Sequence, residues 1–294
     1  PNPKPQTPNP KTFNLLPRRQ SQKFSIMPWL LYLTLFPLLS SRPVKILFDF
    51  SNFEPATSEQ FEFFFFFFFP DAAGRVSAWL TPKAPAPLPK LKSTLTCKEI
   101  SLTVAPQFWV EFDADILIFP LYKDSLSLGY LASASICSQA PNGRPIAGAI
   151  FVNAARTAST GGGFAQAVRA VEHEILHLLL LTPEAFLASP GTKLAATTSG
   201  SGSLVFVSPA VIAHGRNQMN CAEFAGLLAE DGGSVSSRGS HFDKSLAGDE
   251  LMTAALPAKP LVTRYTMGLF GDSSWFSADF SFAGRSGWGR AAGC

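Results

Sequence analysis

Residues 164–180 contain neither proline nor glycine, and Phe164, Ala167, Val168, Val171, Ile175 and Leu178 recur among them at steps of three and four. That spacing predicts an amphipathic or buried helix. Gly161, Gly162 and Gly163 break the chain before it, and Thr182-Pro183 ends it. The apolar runs at 115–121 (DILIFPL) and 148–152 (GAIFV) predict strands, and 204–207 predicts a short third. Ser208-Pro209 reads as an N-cap followed by proline at the first helical position, opening a helix to about Met219. His214 falls on that helix, as a surface or packing residue. Residues 189–203 and 230–239 are rich in small and polar residues and are expected as loops. The pattern as a whole predicts an α+β fold: a twisted sheet backed by the long helix, with a more irregular second half from about residue 182.

The first 92 residues break this regularity. Residues 1–10 are rich in proline, asparagine and lysine and are expected to be disordered. Arg18, Arg19 and Lys23 precede an apolar stretch at 29–39, and Ser40-Ser41 follow. That order is the pattern of a signal peptide, against the alternative of a coincidental apolar stretch. The stretch is short for a membrane-spanning helix. Met27 is a candidate start that would leave the basic residues upstream. Phe63 to Phe69 is an unbroken run of phenylalanine. It has no useful period for a strand or an amphipathic helix, and reads either as a buried plug or as a translated homopolymer tract. Residues 81–92 alternate proline, alanine and lysine in the manner of a linker. The expectation is a low-complexity leader over 1–92 and one folded domain over 93–294, its N-terminal part reaching about residue 181.

Charge follows the same division. Residues 1–92 carry 11 Lys+Arg against 5 Asp+Glu, a net +6, and the remainder carries 13 against 16, a net −3. The overall net charge of +3 therefore belongs to the leader. The second part has no basic excess to suggest a nucleic-acid partner. Its roughly 200 residues suffice for a domain with a real core. Four cysteines permit three pairings and show no metal-knuckle spacing.

The chemistry lies in the long helix. His173-Glu174-Ile175-Leu176-His177 reads H-E-x-x-H. Histidines four apart on a helix project from one face and can share one Zn²⁺, leaving a position for water. Glu174 lies beside that position as a candidate general base. A third ligand six residues beyond His177 is excluded, because Pro183 stands there. His214 and His241 remain. His241 sits in a turn-like Gly239-Ser240-His241-Phe242 segment, and Met252 follows in Asp249-Glu250-Leu251-Met252, as in a Met-turn. Glu223 or Glu250 could complete a zinc set of the carboxylate kind. His241 is the better candidate, and it leaves Glu250 free to brace the site.

Together these segments resemble the leishmanolysin family of metallopeptidases over roughly residues 97–294. The resemblance is carried by Asn142-Gly143-Arg144-Pro145 with the strand to Asn153, and by the helix around His173. It continues through Asn220-Cys221, Glu230-Asp231-Gly232-Gly233, the His241 turn, the Met252 turn, Thr266-Met267-Gly268-Leu269-Phe270 and Ala278-Asp279-Phe280. It implies a metzincin-like zincin domain in which His173, His177 and His241 bind one Zn²⁺, Glu174 is the general base and Met252 forms the Met-turn. It implies the disulfides Cys97–Cys137 and Cys221–Cys294, protein or peptide substrates, and a secreted or cell-surface, membrane-associated location. The alternative is a catalytically impaired relative serving adhesion or protein binding. The chain departs from the family in two respects. Leu180 replaces a glycine just after the helix, which would either lengthen the helix by a turn or strain its exit. The cysteine-rich region that follows in the family is missing from this sequence, which stops at Cys294.

Overall fold

The computed structural model describes residues 42–294 apart from 56, 85–87, 160–162, 197–202 and 233–237. The proline-rich start and the signal-like segment lie outside the described residues, as do parts of both expected loops. Residues 41–294 form one compact unit.

Its main sheet runs in the order Ile46–Phe48, Ile116–Lys123, Pro145–Asn153, Ala132–Gln139. The first three strands are parallel, with Ile46 beside Ile116 and Leu117 beside Ala147. The last is antiparallel and forms an edge, with Ala134 beside Ile150. The inner strands are apolar on both faces because both faces are covered. Ile116 and Ile118 point into a core shared with the long helix, while Leu117, Phe119 and Leu121 enter a second core with Leu102, Val104 and Phe108. This is the two-residue alternation of a strand.

The long helix spans Gly163–Leu179 and packs across the edge strand and its neighbour. Gly148 permits the approach, since a Cβ there would lie 2.5 Å from Leu178 Cδ2. The remaining strand and helix expectations also correspond to elements. Leu204–Phe206 is a strand, flanked by Leu194–Ala196 and Leu227–Leu228. Pro209–Met219 is a helix with Ser208 at its N-cap. The Ser208 hydroxyl does not cap it but accepts from the Lys193 amide at 3.0 Å. The Asp272 carboxylate instead accepts from the Ala210 amide at 2.8 Å. Disulfides join Cys97 to Cys137 and Cys221 to Cys294, with Cα separations of 4.3 and 5.0 Å.

Residues 42–92 differ from expectation. Their described residues, expected as leader and linker, fall within the compact unit. Ile46–Phe48 is a strand of the main sheet, and Leu80–Pro82 pairs with Phe276–Ala278. The phenylalanine run is helical, continuing from Ser58–Phe63 through a π-helical segment at Phe64–Phe68 into Phe69–Ser77. Phe64, Phe68 and Phe69 face the core with Val76 and Trp79, while Phe66 and Phe67 face solvent. A homopolymer hides this two-sidedness, because seven identical residues carry no pattern. Buried charge adds a second tie. Asp115 is fully buried and accepts from Arg42 Nη1 at 2.5 Å, the Lys45 amide at 2.8 Å and Arg144 Nη2 at 2.9 Å.

Candidate metal centre

His173 and His177 lie one turn apart on the Gly163–Leu179 helix, 7% exposed each. His241 reaches them through backbone pairing. Its carbonyl accepts from the Glu230 amide at 2.9 Å, and the next residue, Phe242, bridges Ala229 on one side and Thr253 on the other. The Phe242 amide donates to the Met252 carbonyl at 2.9 Å. The third-histidine segment and the Met252 turn are thus neighbouring strands of one irregular lattice.

The three Nε2 atoms converge. They are 2.9 Å apart for His173–His177, 3.1 Å for His173–His241 and 3.0 Å for His177–His241. Elsewhere on the rings, His173 Nδ1 lies 2.7 Å from the Leu251 carbonyl, and His177 Nδ1 lies 2.7 Å from the Leu181 carbonyl. A carbonyl only accepts, so each of these Nδ1 atoms carries the proton. Both Nε2 atoms then present lone pairs to each other. Lone pairs held this close repel unless a cation lies among them, and imidazole nitrogens are donors suited to Zn²⁺. Burial, with His241 adding to it, drives His173 down to about 3. Burial likewise keeps His177 well below the usual imidazole range, with His173 and His241 adding to the shift. Both rings are therefore held neutral, the form that ligates.

Glu174 projects beside the histidines and is 8% exposed. Burial pushes its carboxyl up to about 8, opposed by a hydrogen bond from the Ala134 amide of the edge strand. A cleft of about 760 Å³ opens over the site, lined also by Tyr130, Ala134, Gln139, Glu184 and Ala254.

Further residues brace this centre. Leu251, whose carbonyl holds His173, is flanked by Glu250. The buried Glu250 carboxylate accepts from the Thr263 amide at 2.9 Å, from Thr266 Oγ1 at 2.8 Å and from the Thr263 hydroxyl. This is the bracing role left open for Glu250. On the helix, Arg169 pairs with the buried Glu172 and donates to the Pro260 carbonyl at 2.8 Å, tying the helix to the segment beyond the Met252 turn. Burial pushes Glu172 up to about 7 against the pull of Arg169. Its signal in the sequence was an opposite-charge pair three apart on the helix, Arg169 and Glu172.

Of the other expected site residues, Met252 is fully buried in the main core. Glu223 is placed beside Cys221 and Cys294, not among the histidines. His214 stands apart and packs on Tyr265, ring centroids 4.5 Å apart. Leu180 neither lengthens the helix nor strains its exit. The helix ends at Leu179, and the amides of Leu180 and Leu181 both donate to the Leu176 carbonyl at 3.1 Å. Leu180 is not among the described residues with positive φ, so the turn is made without the backbone freedom of glycine.

A helix-borne histidine pair closed by a third histidine, with a carboxyl beside them, makes a three-histidine group that could hold a metal ion on a mixed α/β scaffold. The sequence model of the leishmanolysin family (Peptidase_M8) matches residues 96–294, and the chain belongs to that family. Leishmanolysin of Leishmania tropica is 36% identical over 172 residues, which covers 56% of this chain and 25% of that protein. A leishmanolysin homolog of Crithidia fasciculata is 33% identical over 181 residues, covering 60% and 27%. A leishmanolysin-like peptidase of Drosophila melanogaster is 34% identical over 90 residues, covering 31% and 13%. The chain thus spans about a quarter of the length of its trypanosomatid relatives.

Proposed function

We propose that the chain is a zinc-dependent endopeptidase acting on protein or peptide substrates. The observation that carries this reading is the convergence of three imidazole nitrogens beside a buried carboxyl, in a member of a metallopeptidase family. His173, His177 and His241 would hold the metal through Nε2. Zinc, when bound, supplies Lewis acidity that brings the pKa of water to about 7. The positive charge of a bound metal would oppose the burial that raises the Glu174 carboxyl, and in its ionised form Glu174 takes a proton from the attacking water and passes it to the leaving amine. The Leu251 and Leu181 carbonyls keep the histidine rings in the ligating tautomer. The strand Ala132–Gln139 borders the cleft at the edge of the main sheet, where an extended peptide can add as a further strand. Met252 supports the turn that carries Leu251, in a metzincin-like arrangement. The two disulfides support a secreted or cell-surface location.

The test is Glu174→Gln in the zinc-loaded chain. The amide cannot accept a proton, so cleavage of a generic protein substrate should fall by about 10²–10⁴-fold. Zinc content measured on the same sample should stay at one per chain. Near-normal turnover by the variant would refute the general-base role, and absence of stoichiometric zinc in the unaltered chain would refute the metal assignment.

A further inference from the structure

A second cavity, of about 390 Å³, opens between the helices Pro209–Met219 and Arg264–Asp272 and the segment 280–290. It shares no lining residue with the metal-site cleft. Arg264, Arg285 and Arg290 line it, and no aspartate or glutamate does. The other arginines that face carboxylates are neutralised by them: Arg42 and Arg144 by Asp115, Arg75 by Asp71 and Arg169 by Glu172. Among the described residues, Arg264, Arg285 and Arg290 have no such partner. Arg264 instead lies over the Phe280 ring, 5.4 Å from its centroid.

The cavity wall also holds two orphaned polar atoms. Tyr265 is only 4% exposed, yet its hydroxyl has no hydrogen-bond partner, and neither has the buried Nδ1 of His214 beside it. Buried polar atoms are as a rule bonded, so two orphans on one wall mark where the oxygens of a ligand would sit. Glu250 does not fill this role. It is turned towards Thr263 and Thr266 and does not line the cavity. The local field agrees: burial first, then the charge of Arg264, hold His214 down to about 4.

We propose that this cavity binds a tetrahedral oxyanion, phosphate or sulfate, either free or as an ester group. Guanidinium groups pair with such oxygens through two parallel charge-assisted hydrogen bonds. The Tyr265 hydroxyl would donate a further bond. Trp288, fixed by its indole N–H on the Ser245 carbonyl at 2.9 Å, forms a flat apolar wall against which an ester's organic part can lie.

The full metal-loaded chain is titrated by calorimetry with inorganic phosphate and with inorganic sulfate, against chloride at equal ionic strength. Saturable binding at about millimolar affinity or tighter is expected. It should weaken at least tenfold in Arg264→Gln/Arg285→Gln, whose thermal midpoint should be unchanged because both residues are exposed. Tyr265→Phe should weaken it about threefold. An anion held at the histidines would be indifferent to these substitutions, so the two sites are told apart. O-phosphoserine and glucose 6-sulfate then distinguish a phosphorylated peptide from a sulfated sugar as the natural source. Absence of saturable binding above the chloride control, or undiminished affinity in the arginine double variant, overturns the proposal.

Discussion

His173 and His177 need only a helix to meet, so four-residue spacing was enough to place them. His241 lies 64 residues beyond His177, and its arrival depends on the Glu230 and Met252 backbone pairings, which no side-chain pattern announces. Its place could be read only from the turn residues around it and from the resemblance to a family. Met252 is the clearest test at this scale. It is fully buried, and its carbonyl holds the Phe242 amide next to His241. Its thioether is flexible filling. Met252→Leu conserves volume and should cost less than about 1.5 kcal/mol. Met252→Ala leaves a cavity and should cost about 2–5 kcal/mol. Denaturant melts of the two variants measure the difference, and equal losses would remove the packing role.

At the scale of elements, legibility followed pattern. The helix Gly163–Leu179 and the strands Ile116–Lys123 and Pro145–Asn153 carry strong apolar periodicity and stand within a few residues of where the sequence puts them. The edge strand Ala132–Gln139 reads ASASICSQ and was not foreseen. Its small residues suit a strand that is only partly covered; alanine and serine do alternate from Ala132 to Ile136, but side chains so small give little apolar contrast. Yet this strand supplies the Ala134 amide that faces Glu174. Helix and sheet meet most closely at Gly148 and Leu178. Gly148→Val would drive a side chain into Leu178, the residue after His177. Overpacking of this kind costs about 1–3 kcal/mol. Because the strain falls beside a ligand, zinc affinity should drop along with the melting midpoint. A variant that lost stability but bound zinc as tightly in a chelator competition would show that the helix position does not set the metal geometry.

For the whole molecule, the family match begins at residue 96 while the compact unit begins at residue 41. Composition drew the boundary near residue 92 because proline and lysine dominate there, and composition says nothing about which residues a sheet recruits. Phe64, Phe68, Phe69, Val76, Trp79 and Leu80 are all buried in the same core as Ile175 and Leu178 of the site helix. Each large apolar side chain taken from water contributes about 1.5–3 kcal/mol before conformational entropy is charged against it. Net domain stability is only about 5–15 kcal/mol, so losing this set should exceed what the rest can sustain. Asp115 would also lose Arg42 and the Lys45 amide, leaving Arg144 as its one partner among those that bond its side chain. The Cys221–Cys294 bridge could contribute up to about 4 kcal/mol by restricting the unfolded chain. It ties the C-terminal end to the helix Pro209–Met219 and does not touch the exposed sheet edge. A chain of residues 41–294 should therefore melt cooperatively. A chain of residues 93–294 should show no cooperative transition, and should bind a hydrophobic dye at room temperature even with both disulfides formed. A cooperative melt of the shorter chain at an unchanged midpoint would return residues 42–92 to the status of a leader.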